Sequence, residues 1–426
     1  MTNPSFSNRR TVLKGASAII AAPAILRHSR ASAQDATFRI GFVNPRTGPL
    51  AGFGEADEYI LKGVQAALAG LTNHGKPVKV EIISKDSQSN SNRAAEVTVE
   101  LIERDKVDLV VAASAPDTTN PVADQCELNE MPCITSVCPW QPYFFGRNGN
   151  PATGFEYTYH FFWGLEDVIA NFLNLWDDAP GVKKVVGGIF PNDADGNAWG
   201  DKELGLPKPL AAAGYKLVDP GRYQVMNNDF SSQIAAYKAA GCEIVTGNMI
   251  PPDFATFWGQ AAQQNFNPRI VTIGKALLFP SVIESLGPRG DGLTTEIWWT
   301  PTHPFSSSLT GESAGALGNG YTKATGRPWT QPLGFIHALF EVAADVIKRA
   351  ESLDDSAAVL AAIRATNIDT IVGHVDWQGK GPFKNVKRTP LVAGQWQLKN
   401  GKPELVITNN KEATNIPVGG KMKLLG

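Results

Sequence analysis

The chain has 426 residues, 43% of them hydrophobic, with a formal net charge of −2 and four cysteines. A single hydrophobic core stops growing near roughly 250–300 residues, so two domains are expected. No cluster of lysine and arginine marks a nucleic-acid or membrane surface, which excludes those partner classes at the level of composition.

The chain opens with "SNRRTVLKGASAII". Arg9, Arg10 and Lys14 form a charged start, and Gly15 to Leu26 is apolar or small throughout. That run of about 12 residues is too short to span a bilayer but suits the apolar region of a signal peptide. "ASA" at Ala31–Ala33 offers small residues to a signal peptidase, so residues 1–33 are expected to be removed after Ala33. "NRRTVLK" resembles the twin-arginine export motif, with Asn8 and Val12 departing from its usual form. An ordinary secretory signal carrying two arginines reads the same residues, and either route means export. The leader holds five of the 39 basic residues and no acidic one, which leaves 34 basic against 41 acidic and a net of −7.

A first α/β unit follows. "FRIGFVN" (Phe38–Asn44) reads as a buried strand, Glu55–Leu71 as a helix, Val78–Asp86 as a strand, Asn92–Arg104 as a helix and Val107–Ala113 as a strand. A short helix near Pro121–Asn129, with Asn120 as N-cap, leads to the strand Pro132–Val137. Alternation of this kind predicts a parallel sheet covered on both faces. The pattern then restarts: helix Leu165–Trp176, strand Lys183–Phe190, a helix around Asp201–Ala213 and strand Tyr215–Asp219. Helix Asp229–Gly241, closed by Gly241, strand "CEIVTGN", helix "PDFATFWGQAAQQ" and strand Arg269–Gly274 complete the second unit by about residue 290. The third part predicts a strand in "GLTTEIWWT", two helices within Ser307–Ala350, a helix Ser356–Thr366, strands near Thr370–Trp377 and Leu391–Leu398, and an extended tail. Leu333, Ile336, Leu339, Phe340, Ala343 and Ile347 give the second of those helices a core-facing side. No low-complexity linker separates the units, so crossing strands and a shared cleft are expected.

An exported chain of this kind is either a cofactor enzyme or a binding protein. The cysteines, Cys126, Cys133, Cys138 and Cys242, form no Cys-x-x-Cys, and the histidines after the leader, at 74, 160, 303, 337 and 374, have no metal-ligand spacing. No cofactor and no metal are therefore expected. Cys126 and Cys133 lie across a short turn, and an exported protein permits a disulfide between them; Cys138 and Cys242 are expected free. The Gly-x-Ser-x-Gly at Gly311–Gly315, "GESAG", follows no expected strand and so lacks the strand-turn-helix setting of a nucleophile elbow, no Gly-x-Gly-x-x-Gly follows the first strand, and no Ser or Thr follows Lys380 in the loosely phosphate-loop-like "GHVDWQGKG". His160 and His374 sit near expected chain crossings and read as structural. None of these motifs stands in the setting that catalysis needs, so a binder rather than an enzyme is expected.

In doubly wound sheets ligands sit beyond the carboxyl ends of the strands. The loops there are "PRTGPLAGFGE", "SAPDTTNP", "CPWQPYFFG", "PNDADGNAWGD", "MIPPD" and "KALL", rich in small polar residues and aromatics. "PDTT" ahead of the helix at Asn120-Pro121 would present hydroxyls and N–H groups to a carboxylate, or serve plain capping. Trp140 and Trp199 lie in loops of opposite units and either stack on a ligand or pack under their own loops.

Taken together, "IGFVNPRTGPLAGFGEADEYILKGVQAA", "KDSQSNSNRAAEVTVELIERDKVDLVVAASAPDTTNPVADQCELNEMPCIT", "NDADGNAWGD", "DFSSQIAAYKAAGCEIV" and "IVGHVDWQGKGPF" resemble the periplasmic substrate-binding proteins of branched-chain amino acid ABC transporters, the Leu/Ile/Val-binding family. The likeness runs from about Phe38 to Leu398. It implies an α/β type I periplasmic binding fold: two Rossmann-like lobes with parallel central sheets joined by a three-crossing hinge. Lobe 1 would comprise residues 37–160 and 298–371, and lobe 2 residues 161–297 and 372–426. It further implies a monomer that captures a small solute and hands it to permease subunits in the periplasm, or a sensor on the same fold. Carried over one by one, the pocket positions fall on Phe53, on Pro116, Asp117 and Thr118, on Val137, Cys138 and Pro139 with Trp140 beside them, and on Trp199, Met249 and Lys275. The acid that amino-acid binders aim at the ligand ammonium falls near Ala276, next to Lys275, and Pro116 lacks an N–H. An aromatic or apolar carboxylate or an amide-like solute is therefore favoured over a branched-chain amino acid.

Overall fold

The computed structural model describes residues 36–379 and 381–426. The expected leader and Lys380 lie outside the described residues. Among them, the first strands are β1 Ala36–Asn44, β2 Thr72–Asn73, β3 Lys76–Asp86, β4 Leu109–Ala113, β5 Cys133–Ser136 and β6 Thr158–Phe161. They are followed by β7 Val185–Ile189, β8 Lys216–Val218, β9 Ile244–Met249, β10 Ile270–Lys275 and β11 Thr294–Ile297. A hairpin of β12 Asn367–Thr370 and β13 Gly373–Asp376, the short β14 Val386–Lys387, and a hairpin of β15 Val392–Lys399 and β16 Lys402–Asn409 complete the set.

These strands build two sheets. The first runs β14-β6-β5-β4-β1-β3-β2 and the second β16-β15-β11-β10-β9-β7-β8. The pairings among β14, β6, β5, β4, β1 and β3 are parallel, as are those among β11, β10, β9, β7 and β8. Edge hairpins add the antiparallel pairs. Every residue of β4, β9 and β10 is buried, which fits strands covered on both faces. Lobe 1 is centred on the helix Pro332–Arg349, whose expected core side is fully buried; Phe340 meets Phe42 of β1 edge-on at 5.6 Å.

The chain crosses between lobes three times, after β6, after β11 and after β14. The last crossing departs from expectation. β14 pairs with β6, and Trp377 Nε1 donates to the His160 carbonyl, so residues 372 to about 387 belong to lobe 1 rather than lobe 2. Buried Gln331 holds the second crossing, accepting from the Trp298 N–H and donating to the Glu296 carbonyl. Arg388 ties the third crossing to Asp167 on the helix that follows the first.

The helix expected near Pro121 starts five residues earlier, at Pro116, with Ala115 as N-cap, so "PDTT" is its first turn and Asn120 its interior. Pro121 lacks the N–H that would bond the Asp117 carbonyl; Ser91 Oγ donates to that carbonyl instead at 2.6 Å, which lets the helix run through the proline. In "PNDADGNAWGD" a helix Ala194–Trp199 forms under the Asp193 cap where a loop is expected. β6 and β16 are not among the expected strands, although Asn400-Gly401, both at positive φ, is a hairpin signal directly ahead of β16.

Candidate functional site

The carboxyl ends of β5 and β10 face one cleft between the lobes, and each ends in strain. Val137, just past β5, has φ +69°, an outlier for a β-branched residue. Lys275, closing β10, has φ +64° and ψ −60°. Strained backbone of this sort collects at sites where position matters more than local comfort.

Lobe 1 supplies Phe53, Pro116 and Val137 to the cleft, and lobe 2 supplies Trp199, Lys275 and Leu278. The crossings themselves form the back wall, through Phe162 and Trp163 on the first and Trp298 on the second. Phe162 packs edge-on against Trp298 at 5.3 Å, and Phe53 meets Phe279 of the other lobe at 5.1 Å. Trp199 packs closely on Gly274; a Cβ there would stand 2.8 Å from the indole, so only glycine admits the ring. The indole N–H groups of Trp163, Trp199 and Trp298 are all buried and all without a hydrogen-bond partner. Buried unpartnered donors are rare and costly, and these three belong to residues that line one cleft.

Charge is concentrated on the lobe 2 side. Lys275 Nζ lies 2.9 Å from Asp195 Oδ2 and 3.5 Å from Asp193 Oδ2, with its side chain 5% exposed. Burial opposes the Lys275 charge, but Asp193, Asp195 and Asp117 outweigh it and hold the ammonium above its ordinary range. Asp117 reaches over from lobe 1, where Oδ1 accepts the Ala194 N–H at 3.4 Å. Burial raises Asp117 and Asp195 despite Lys275. The Asn248 amide is close enough to favour ionised Asp195, yet neither it nor Asp195 Oδ1 makes a hydrogen bond of normal geometry. Glu296 of β11 also lines the cleft, and burial pushes its carboxyl up to about 7 against the hydrogen bonds from Thr295 and the Lys275 N–H.

Six of the eleven expected ligand positions therefore line the cleft: Phe53, Pro116, Val137, Pro139, Trp199 and Lys275. Asp117 joins through the Lys275 cluster. The other four do not line it. Trp140 donates to Glu166 at 2.9 Å and packs on Phe383 under its own loop. Thr118 Oγ1 caps the Ala115 carbonyl. Cys138 is buried against Tyr143, and its carbonyl is bound by His160, whose burial lowers it to about 3 and marks it as structural. Met249 is a core residue of lobe 2. The expected Cys126–Cys133 bond is absent: both are free, buried thiols, and burial, then neighbouring Cys133, raises Cys126 well above its ordinary range and keeps it protonated. Asp195, Glu296, Phe162, Trp163 and Trp298 are additions that the sequence reading missed. Among the described residues no cluster of potential metal ligands occurs, and no helix is long and apolar enough to cross a membrane.

The cleft leaves about 20 Å³ of space open to a water-sized sphere. A cavity that takes a benzene ring measures about 150 Å³, so a ring-sized solute enters only when the lobes part or side chains move. Two sheets hinged by three crossings over such a cleft can trap a small molecule.

The profile of the periplasmic binding protein family matches residues 37–402. The chain belongs to that family. The family is one of substrate-binding proteins, and membership places the chain's work outside the cytoplasm. No curated protein sequence matches the chain significantly. Among solved structures, a leucine-binding protein from Thermotoga maritima is similar at 20% identity and a TM-score of 0.69, over 88% of this chain and 99% of that one. A solute-binding protein of an ABC transporter from Rhodopseudomonas palustris, in complex with 3,4-dihydroxybenzoic acid, is similar at 18% identity and a TM-score of 0.69, over 89% and 99%. A branched-chain amino acid transporter substrate-binding protein from Streptococcus pneumoniae, in complex with isoleucine, is similar at 16% identity and a TM-score of 0.67, over 87% and 99%. At these identities the likeness is one of fold.

Proposed function

We propose that this periplasmic binding protein is the solute-capturing component of an ABC importer and takes a small aromatic or apolar solute bearing oxygen acceptors, a carboxylate or an amide-like group. The observation that carries this reading is the aromatic cleft between the lobes with three buried indole N–H groups lacking partners. Flat walls accept a ring, and the indoles donate to its oxygens. Solutes of this kind are bound by one of the similar solved proteins, that from Rhodopseudomonas palustris. A branched-chain amino acid is the second reading. Glu296 favours it, since a buried acid stands in the cleft although position 276 is Ala. A sensor role on the same fold would use the same cleft.

The chain acts as a monomer without a cofactor, delivers its solute to permease subunits and performs no catalysis. It reaches the periplasm through the twin-arginine-like leader, cut after Ala33. The test is a thermal-shift screen of aromatic acids, aliphatic acids, amides and amino acids. A ligand at 100 times its dissociation constant raises stability by about 2.7 kcal/mol. Aromatic solutes are expected to give the largest shifts, lost in Trp199→Ala. Tight leucine or valine binding with no response to aromatic solutes would replace the first reading with the second.

A further inference from the structure

We infer that the cleft selects an uncharged aromatic solute, one presenting an amide or phenol, over the matching carboxylate or amine; this rests on the solute-binding reading above. The cleft's cationic side chain is Lys275, and its ammonium is already enclosed by Asp193 at 3.5 Å, Asp195 at 2.9 Å and Asp117 from the facing lobe. Glu296 adds a fourth carboxyl. A ligand carboxylate would enter a buried site whose positive charge is spent, and an unpaired buried anion is strongly disfavoured.

An ammonium fails on the other count. The groups without partners include three donors, the indole N–H of Trp163, Trp199 and Trp298, each at most 2% exposed. An ammonium has no lone pair to offer them and would leave all three unsatisfied. A carbonyl or hydroxyl oxygen accepts from them at no cost in charge. Asp195 lines the cleft and its Oδ1 is a buried acceptor without a bond, which then takes an N–H or O–H from the same solute. An amide or a phenol supplies both on one planar group, and the walls of Phe53, Phe162 and Trp199 suit a ring.

The experiment is calorimetric titration of the protein at pH 8 with matched sets: benzamide, benzoate and benzylamine, then 4-hydroxybenzamide and 4-hydroxybenzoate. The amide is expected to bind at least about a hundredfold more tightly than its acid, the scale of a buried unpaired charge. Asp117→Asn removes one of the carboxylates around Lys275 and is expected to narrow that ratio by about tenfold or more, because the cluster gains one positive charge. An acid that binds as tightly as its amide in the wild type overturns the inference and leaves the solute-binding reading standing. Benzylamine as the tightest ligand does the same. Absence of binding by every member, charged or neutral, together with no shift from any amino acid, overturns both. If Asp117→Asn fails to fold, the wild-type ratios alone decide.

Discussion

Replacing Lys275 with Met keeps most of the stem's packing and deletes the charge. At an effective dielectric constant of about 20, the 2.9 Å contact with Asp195 is worth about 6 kcal/mol of Coulomb attraction and the 3.5 Å contact with Asp193 about 5 kcal/mol. Desolvation of a buried ammonium takes back several kcal/mol, so the net cost expected of Lys275→Met is about 3–5 kcal/mol at pH 8. The sign of its pH dependence follows from the acids left behind. Burial already raises Asp195 and Asp117, and losing the lysine raises them further, so the folded variant holds protons that the unfolded chain releases. The deficit is therefore largest above those folded-state values and shrinks as pH falls and the carboxyls become neutral. The assay is urea unfolding of wild type, Lys275→Met, Asp195→Asn and the double variant at pH 8 and pH 5. A coupling of about 2 kcal/mol or more between 275 and 195 is expected at pH 8, less at pH 5. A single-variant cost under about 1 kcal/mol at pH 8, or additive behaviour across the cycle, would refute the picture of one cation balancing several buried acids.

Gly274→Ala places a Cβ 2.8 Å from the Trp199 ring and 3.2 Å from Glu296 Oε1; the variant is expected to fold, by circular dichroism, yet lose ligand-induced thermal shift. Glu296 is held at about 7 by burial, above its ordinary 4.5, so its stabilising protonation is complete below about 4.5 and lost as pH rises to about 7. Glu296→Gln is therefore expected to lose about 3 kcal/mol less than wild type between pH 4.5 and pH 8 in urea unfolding, at about 1.4 kcal/mol per pH unit. Cys126, buried and raised well above its ordinary range, is expected to resist alkylation in the native protein and react once unfolded; mass mapping that finds it joined to Cys133 would contradict the free pair. N-terminal sequencing of exported protein is expected to begin at Gln34, and an intact Met1 on periplasmic material would contradict the leader.

The two α/β units were legible because buried parallel strands leave apolar runs and their helices leave a 3.6-residue rhythm. The rule that ligands gather past strand ends found the loops that hold Phe53, Pro116, Val137, Trp199 and Lys275, and the family resemblance narrowed them to those positions. It missed Phe162, Trp163 and Trp298 because the crossings are themselves apolar, and "HFFWG" and "EIWWT" read as core. Glu296 left a signal, a lone acid in an otherwise uncharged strand, that strand periodicity alone does not weigh. Trp140 could not be separated from Trp199 by sequence. Its partner, Glu166, lies 26 residues away across the first crossing. Pro121 misplaced the helix start because the hydroxyl that relieves it, Ser91 Oγ, comes from a different helix.

The central claim is capture of one small solute in the cleft lined by Trp163, Trp199 and Trp298. Native mass spectrometry of the protein purified from the periplasm tests it most directly, with Trp199→Ala prepared in parallel. A wild-type species heavier than the bare chain by a single small molecule is expected, identifiable by fragmentation as an uncharged aromatic and lost from the variant. A wild-type protein that carries no adduct and gains none from any aromatic, aliphatic or amino-acid solute, or an adduct held equally by Trp199→Ala, would contradict it.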